Sequence, residues 1–295
     1  MDRIDVGQIL ESKAPRLNRY IPRCVINWLR GLIHEDFLND AIENFGDKSP
    51  LEFIRGAFDL LDIQRSVEGF ENLDPEGRYI FASNHPFGGM DGMMLAEAIG
   101  SRLGDVRVVI NDLLMYMEPL RPIWLPVNKH GRQNSAYARR MHEAFEGPLP
   151  ILTFPAGLCS RRTKGVVADL EWRKNFIKQA HSTDRQVVPV FVEGQLSNRF
   201  YNIANLRKKL GIKFNIEMIL LVYEMVRQKG QTFTLRFGKP ISRQELQEVG
   251  SYDEQVVFVR KKVYEMQSGL VHRVSIYPWK SGYTYYEKFC RDGEY

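Results

Sequence analysis

The stretch NHPFGGMDG, residues 84–92, sets an imidazole and a carboxylate across a short loop that contains two glycines. His85 precedes Pro86, and a proline ring biases its predecessor toward extended backbone. The strand RYIFAS is therefore expected to finish with the His85 ring at the lip of a sheet. Gly88 and Gly89 let the chain turn sharply or approach a ligand closely, and Asn84 belongs to the same ligand-facing loop. Asp91 then opens the helix DGMMLAEAIG. A carboxylate held on an imidazole fixes its tautomer and stabilises the imidazolium, so His85 could take a proton from a hydroxyl or an amine. The alternative is structural: Asp91 caps the helix and His85 is an incidental strand-end residue.

A second group follows in FPAGLCSRRTKG, residues 154–165. A strand runs into Gly157, and Ser160, Arg161, Arg162 and Lys164 come after it. Guanidinium groups suit bidentate binding of phosphate or carboxylate, and backbone N–H groups at a glycine turn add donors. The competing reading is a solvated basic loop. Arg132 and His130, in NKHGRQN, form a weaker third group that either reads a head group or is simply exposed. In EGQLSNRFYN the polar residues shape a pocket or cap the next helix, and capping is the safer reading.

Positioning these groups requires a sheet. From about 75 to 241 the chain alternates: strands RYIFAS, VRVVIN, WLPVN, PILTFPAG, VVPVFVEG and FTLRFGKPI are separated by helical segments. Those segments are DGMMLAEAIG, RQNSAYARRMHEAFE, WRKNFIKQAH and residues 201–228. Strands and helices in this order predict an α/β fold with a mixed, largely parallel sheet flanked by helices. Active sites in such sheets gather at strand ends, where loops meet. Residues 1–70 read as an N-terminal helical segment and 71–245 as the catalytic domain. Residues 246–295 read as a C-terminal helix and aromatic tail on that domain.

The 295 residues carry a net charge of +5 and an ordinary apolar fraction of 44%. The basic balance favours anionic partners, but no nucleic-acid reading motif is present, so nucleic acid is not expected as a partner. Cys24, Cys159 and Cys290 are dispersed and odd in number, which predicts neither a zinc site nor a disulfide framework and fits a reducing compartment. No metal ligands are assigned. No basic, then apolar, leader pattern opens the chain, and no apolar run is long enough to span a bilayer. A cytoplasmic protein, peripheral on the inner face of the cell membrane, is expected.

Three blocks in order, NHPFGGMDG, FPAGLCSRR and VVPVFVEG, resemble the PlsC-like glycerolipid acyltransferase superfamily, with its histidine–aspartate motif, FPEGTRS block and VPV strand. The resemblance covers roughly residues 75–241. The fuller wording, with DLEWRKNFIKQA and SNRFYN, is similar to a Bacteroidetes branch of hemolysin-like lyso-lipid acyltransferases. It implies transfer of a fatty acyl group from acyl-ACP or acyl-CoA, a co-substrate rather than a cofactor, to the hydroxyl of a lyso-lipid. In that analogy His85 is the general base and Asp91 orients it. The backbone at Gly88 and Gly89 supplies oxyanion donors, and Arg161, with Arg162 or Lys164, holds the acceptor head group.

The chain departs from the family in two places. Five residues, Pro86 to Met90, separate histidine and aspartate, one more than is usual in the family. Ala156 also replaces the block's glutamate, and TRS has become LCSRR. The loss of that acid leaves the head group open between lysophosphatidic acid and a lyso amino-acid lipid such as a lyso-ornithine or lyso-glycine lipid. Two other readings stay open: a lipid-binding protein that keeps the fold without catalysis, and an ester or thioester hydrolase.

A membrane surface has its own indicator. Ile21, Val25, Trp28, Leu29 and Leu32 share one helical face. Lys13, Arg16, Arg19, Arg23 and Arg30 lie in a stretch without an acidic residue. An amphipathic basic helix with tryptophan suits an anionic bilayer; packing of that face on the sheet is the alternative.

Overall fold

A computed structural model describes residues 3–13, 21–111, 117–127, 135–212 and 216–267. Four helices come first: α1 (Val6–Lys13), α2 (Arg23–Leu32), α3 (Glu35–Phe45) and α4 (Pro50–Leu60). They are followed by β1 (Gln64–Glu68), β2 (Tyr79–Ser83), α5 (Gly89–Leu103), β3 (Arg107–Asn111), β4 (Trp124–Val127) and α6 (Ser135–Glu146). Next come β5 (Ile151–Thr153), β6 (Arg161–Thr163), β7 (Val166–Ala168), α7 (Asn175–Thr183) and β8 (Gln186–Val192). The series ends with α8 (Asn198–Lys209), α9 (Leu221–Val226), β9 (Thr232–Phe237), α10 (Arg243–Val249) and α11 (Tyr252–Glu265).

Seven strands form one sheet in the order β1-β9-β8-β2-β5-β3-β4. β8, β2, β5, β3 and β4 run parallel, while β9 is antiparallel to β8 and carries β1 beside it. The sheet is therefore mixed and largely parallel, with helices on both faces.

The near-continuous apolar runs of β2 and β8 follow from this double cover. Along β2, Tyr79 and Phe81 enter one core with Phe53 of α4 and Met94 of α5. Ile80 and Ala82 enter the other, with Phe176 of α7 and Val259 of α11. The period of two in a pleated strand sends neighbours to opposite layers.

The expectation of helix throughout residues 1–70 is corrected by β1. QRSVE holds one aliphatic side chain and alternates between exposed and half-buried, so an edge strand reads as polar chain. It pairs in parallel with β9 from Gln64↔Thr232 to Glu68↔Arg236. The helical reading of 201–228 resolves into α8, a 3-10 turn Ile216–Leu220 and α9. The basic loop after Gly157 contains the hairpin β6–β7, turned through Lys164 and Gly165 at φ 50 and 85°. Two successive positive φ angles suit a two-residue hairpin turn. Ser242 caps α10 with a reciprocal Glu245 bond.

The amino-terminal ends of the central strands, away from the site, are fixed by Arg185, which is fully buried. Its guanidinium donates to the carbonyl oxygens of Phe145 and Leu149 at 2.8 and 2.9 Å and to that of Tyr79 at 3.2 Å. It thereby satisfies carbonyls left over at the end of α6. Burial lowers its pKa to about 10.

Candidate active site

His85 and Asp91 meet. Three parallel strands, β8, β2 and β5, end side by side, and Phe154 of the segment leaving β5 meets the His85 ring. His85 Nδ1 lies 2.9 Å from Asp91 Oδ1, with the carboxylate fully buried and 16% of the histidine side chain exposed. Neither atom has another partner, and the carboxylate approaches off the in-line direction of the ring N–H. The contact is thus one of charge more than of a well-aligned hydrogen bond. Because Nδ1 is buried, the exposed edge of the ring is the Nε2 side.

Gly88 caps α5 at φ 75 and ψ −121°. A Cβ there would stand 2.8 Å from Leu221 Cδ1. Asp91 is the third residue of α5, and its Oδ2 accepts the Phe87 N–H at 2.8 Å. Asp91 is not the N-cap that the sequence offered as the alternative: Gly88 holds that place with no side-chain cap bond, and the two carboxylate oxygens of Asp91 face Phe87 N and His85 Nδ1. The dipole of α5 adds a favourable field for the anion. Gly89 differs from Gly88: a Cβ on it meets nothing within 4 Å, so open space lies at the start of α5 beside the dyad.

Three features holding His85 were not read from sequence. Phe154, at the end of β5, stacks on the ring at 4.0 Å and 26°. Asp169, fully buried as a carboxylate, accepts the His85 N–H at 3.1 Å, the Ser160 hydroxyl at 2.6 Å and the Trp172 indole N–H at 2.9 Å. Burial raises its pKa, while the hydrogen bonds from Ser160, Trp172 and His85 oppose that rise. The Ser160 N–H also donates to His85 O at 2.7 Å. The backbone on either side of the His85 Cα is thus tied to the 160–169 segment. The only sequence signal for Asp169 is its spacing from Trp172.

Other candidates separate by role. Asn84 is a framework residue: its side chain donates to Val192 O at 2.9 Å and accepts from Val192 N at 2.7 Å. That corrects its placement among ligand-facing residues, because both ends of the amide are consumed in joining β2 to β8. Ser160 is likewise buried and committed to Asp169. Gly157 turns the chain at φ 67° after β5, and Lys164 is exposed at the tip of the β6–β7 hairpin. His130 and Arg132 lie outside the described residues.

The two arginines diverge. Arg161 Nη2 bonds Glu217 Oε1 at 3.0 Å, and Arg207 Nε stands 2.9 Å from Glu217 Oε2, the glutamate being fully buried. Arg161 also donates to Cys159 O and Sγ at 2.9 and 2.8 Å. Arg162 reaches the Asn198 and Asn202 side-chain oxygens of α8, the former at 2.6 Å, and lies over the Tyr201 ring. Cys159 is buried, and burial pushes its thiol up to about 11, far from the thiolate a nucleophile needs.

Comparison with known proteins gives the family. A family model described as acyltransferase matches residues 8–272. The chain is 41% identical over 264 residues to a lyso-glycine lipid O-acyltransferase of Bacteroides thetaiotaomicron, covering 89% of this chain and 97% of that one. It is 40% identical over 264 residues to a lyso-glycine lipid O-acyltransferase of Phocaeicola vulgatus, covering 89% and 95%. Among solved structures it overlaps loosely, at a TM-score of 0.46 and 18% identity over 75% of this chain and 79% of the other. That structure is the 1-acyl-sn-glycerophosphate acyltransferase PlsC from Thermotoga maritima. With its histidine–aspartate pair assembled at the end of β2 and its family model spanning most of its length, this chain belongs to the acyltransferase family and is an acyltransferase enzyme.

Proposed function

We propose that this enzyme is a lyso-lipid O-acyltransferase whose acceptor is a lyso amino-acid lipid of the glycine type, with His85 as general base and Asp91 as its orienting partner. The observation that carries the reading is the His85–Asp91 contact, buried on the Nδ1 side and open on the Nε2 side. The 41% identity to a lyso-glycine lipid O-acyltransferase supports the acceptor class. Glycine has no hydroxyl, so an O-acyl acceptor built on it must carry that hydroxyl on an acyl chain. If that chain is on the nitrogen, the head group is a carboxylate.

The reaction then runs as follows. Nε2 takes the proton of the acceptor hydroxyl as its oxygen attacks the thioester carbonyl of acyl-ACP or acyl-CoA. The resulting oxyanion is met by backbone N–H groups at the start of α5, beginning at Gly88 and Gly89, where the helix dipole also favours negative charge. Collapse expels the thiolate, which takes the proton from His85, leaving the ester and the free carrier thiol.

The reading places the enzyme in the cytoplasm, on the inner face of the cell membrane. Among the described residues no helix is long and apolar enough to cross a bilayer. On α2, Leu32 is buried and Leu29 packs on the core, but Trp28 and Val25 stay 58% and 39% exposed. Leu206 and Leu210, at the end of α8, are exposed beside the exposed Lys208 and Lys209. Apolar tips flanked by lysine suit an anionic interface. Arg30 is not available for this, being paired with Asp5 and Glu35; Lys13, Arg16 and Arg19 lie outside the residues whose side chains are described.

The test is a lipidomic comparison of cells carrying wild-type enzyme or His85→Ala at matched abundance. The variant is expected to accumulate one hydroxyl-bearing mono-acylated amino-acid lipid and lose its di-acylated partner. An unchanged lipidome contradicts the proposal.

A further inference from the structure

The paired arginines after Ser160 are adjacent in sequence but opposite in electrostatic state. We infer that Arg162, not Arg161, reads the acceptor's head-group carboxylate, together with Asn198 and Asn202, because Glu217 has withdrawn Arg161 from ligand binding. This rests on the acceptor class proposed above.

Strand β6 sends successive side chains to opposite sides. Arg161 goes inward. It shares the fully buried Glu217 with Arg207 and spends further donors on Cys159, and its guanidinium lies 5.4 Å over the Phe200 ring. One carboxylate between two arginines compensates much of their charge, and breaking such a buried cluster to admit a ligand would strand Glu217 without its counterions. Arg161 is a structural cation.

Arg162 is held by different chemistry. Its partners are two amide oxygens, Asn198 Oδ1 at 2.6 Å and Asn202 Oδ1, and the face of Tyr201 at 5.6 Å. Its carbonyl is fixed by Asn205 at 3.3 Å. These contacts orient the guanidinium without cancelling its charge. Asn198 and Asn202 are one helical turn apart, so their amides form a pair on one side of α8. A carboxylate entering between them and Arg162 replaces two neutral acceptors by a charged, bidentate one, the geometry for which a guanidinium fork is suited. The released amides then turn their N–H groups toward the same anion. Asn198 is also the first residue of α8, whose N-terminal end favours negative charge. The segment is anchored to the dyad, since Ser160, two residues earlier, donates to His85 O at 2.7 Å.

The proposal separates the two arginines by measurement. The acceptors are an N-(3-hydroxyacyl)glycine and its glycinamide, in which the carboxylate is replaced by a neutral amide. Wild-type enzyme is expected to show a lower KM for the glycine acceptor. Arg162→Gln should raise that KM about 10- to 100-fold, the range of a lost charge-assisted hydrogen bond, with kcat little changed. The same substitution should leave glycinamide kinetics unaltered, and Arg162→Lys should recover part of the loss. Arg161→Gln should lower the melting temperature yet keep the preference for the carboxylate. A preference that survives Arg162→Gln, or that is erased by Arg161→Gln in folded protein, overturns the inference, as does equal KM for the two acceptors in wild type. Failure of wild type to acylate either acceptor would instead reject the underlying function.

Discussion

At the scale of single residues, the site depends on one buried carboxylate more than its chemistry suggests. Asp91 faces the His85 ring, and Asp169 fixes the backbone that presents it. Asp169 accepts three donors with two oxygens, so Asp169→Asn turns an amide N–H₂ toward a donor that had been satisfied. We expect a cost of about 1–3 kcal/mol from that mismatch and a fall in kcat larger than any change in KM, because the His85 ring loses its anchor while substrate contacts stay. The pH dependence has a definite sign. Burial raises the pKa of Asp169 above its ordinary 3.8, so its contribution to stability is fullest below that value and is lost as pH rises through the higher native one. The stability gap between wild type and Asp169→Asn should therefore narrow as pH is raised across this window in thermal melts. A gap independent of pH would mean that Asp169 titrates alike in native and unfolded chains.

Residue chemistry was legible wherever it lay within one loop. His85, Asp91 and their glycines fall within a few positions of each other, and each has a reason to be there. Asp169 and Glu217 were not legible, because the partner that ties each to the site comes from distant sequence: Asp169 bonds a residue 84 positions away, and Glu217 one 56 positions away. Asn84 misled for the same reason. Its amide is consumed by Val192, 108 residues on, which no local pattern announces.

At the scale of elements, the junction of β2 and α5 sets the reach from His85 to Asp91. The left-handed Gly88 and the open side of Gly89 divide that task, and alanine substitutions should separate them. Gly88→Ala places a Cβ against Leu221 in a sparsely populated conformation costing about 1–3 kcal/mol for an L-residue. It should destabilise the protein and displace the start of α5, lowering kcat. Gly89→Ala has room and gains helix propensity of about 1 kcal/mol, so melting should hold or rise. Any activity loss there would instead be steric, read as a raised KM. Equal melting temperatures for the two variants would contradict this division. The elements themselves were readable where both faces are buried, as in β2 and β8. They were hidden where one edge is solvated, as in β1, and where two residues of turn split a basic loop into the β6–β7 hairpin.

At the scale of the whole molecule, the architecture makes the chemistry possible by bringing three strand ends together. β2 lies between β8 and β5 in the sheet, so the loop bearing His85, the segment 154–169 and the start of α8 are neighbours although they are far apart in sequence. The opposite ends of the central strands are closed by Arg185 on the carbonyls behind α6, and α11 covers β8. The sequence conveyed the alternation and hence the mixed sheet; it could not convey that β9 reverses and adds β1, since antiparallel and parallel strands share one local pattern.

The most direct test of the account is the initial rate of acyl transfer from acyl-ACP to an N-(3-hydroxyacyl)glycine by purified wild-type and His85→Ala enzyme, with the melting temperature of each. The account predicts a fall in kcat of about 100- to 10,000-fold, the usual share of a general base, with little change in melting temperature. Transfer by a well-folded His85→Ala enzyme at close to the wild-type rate would contradict it.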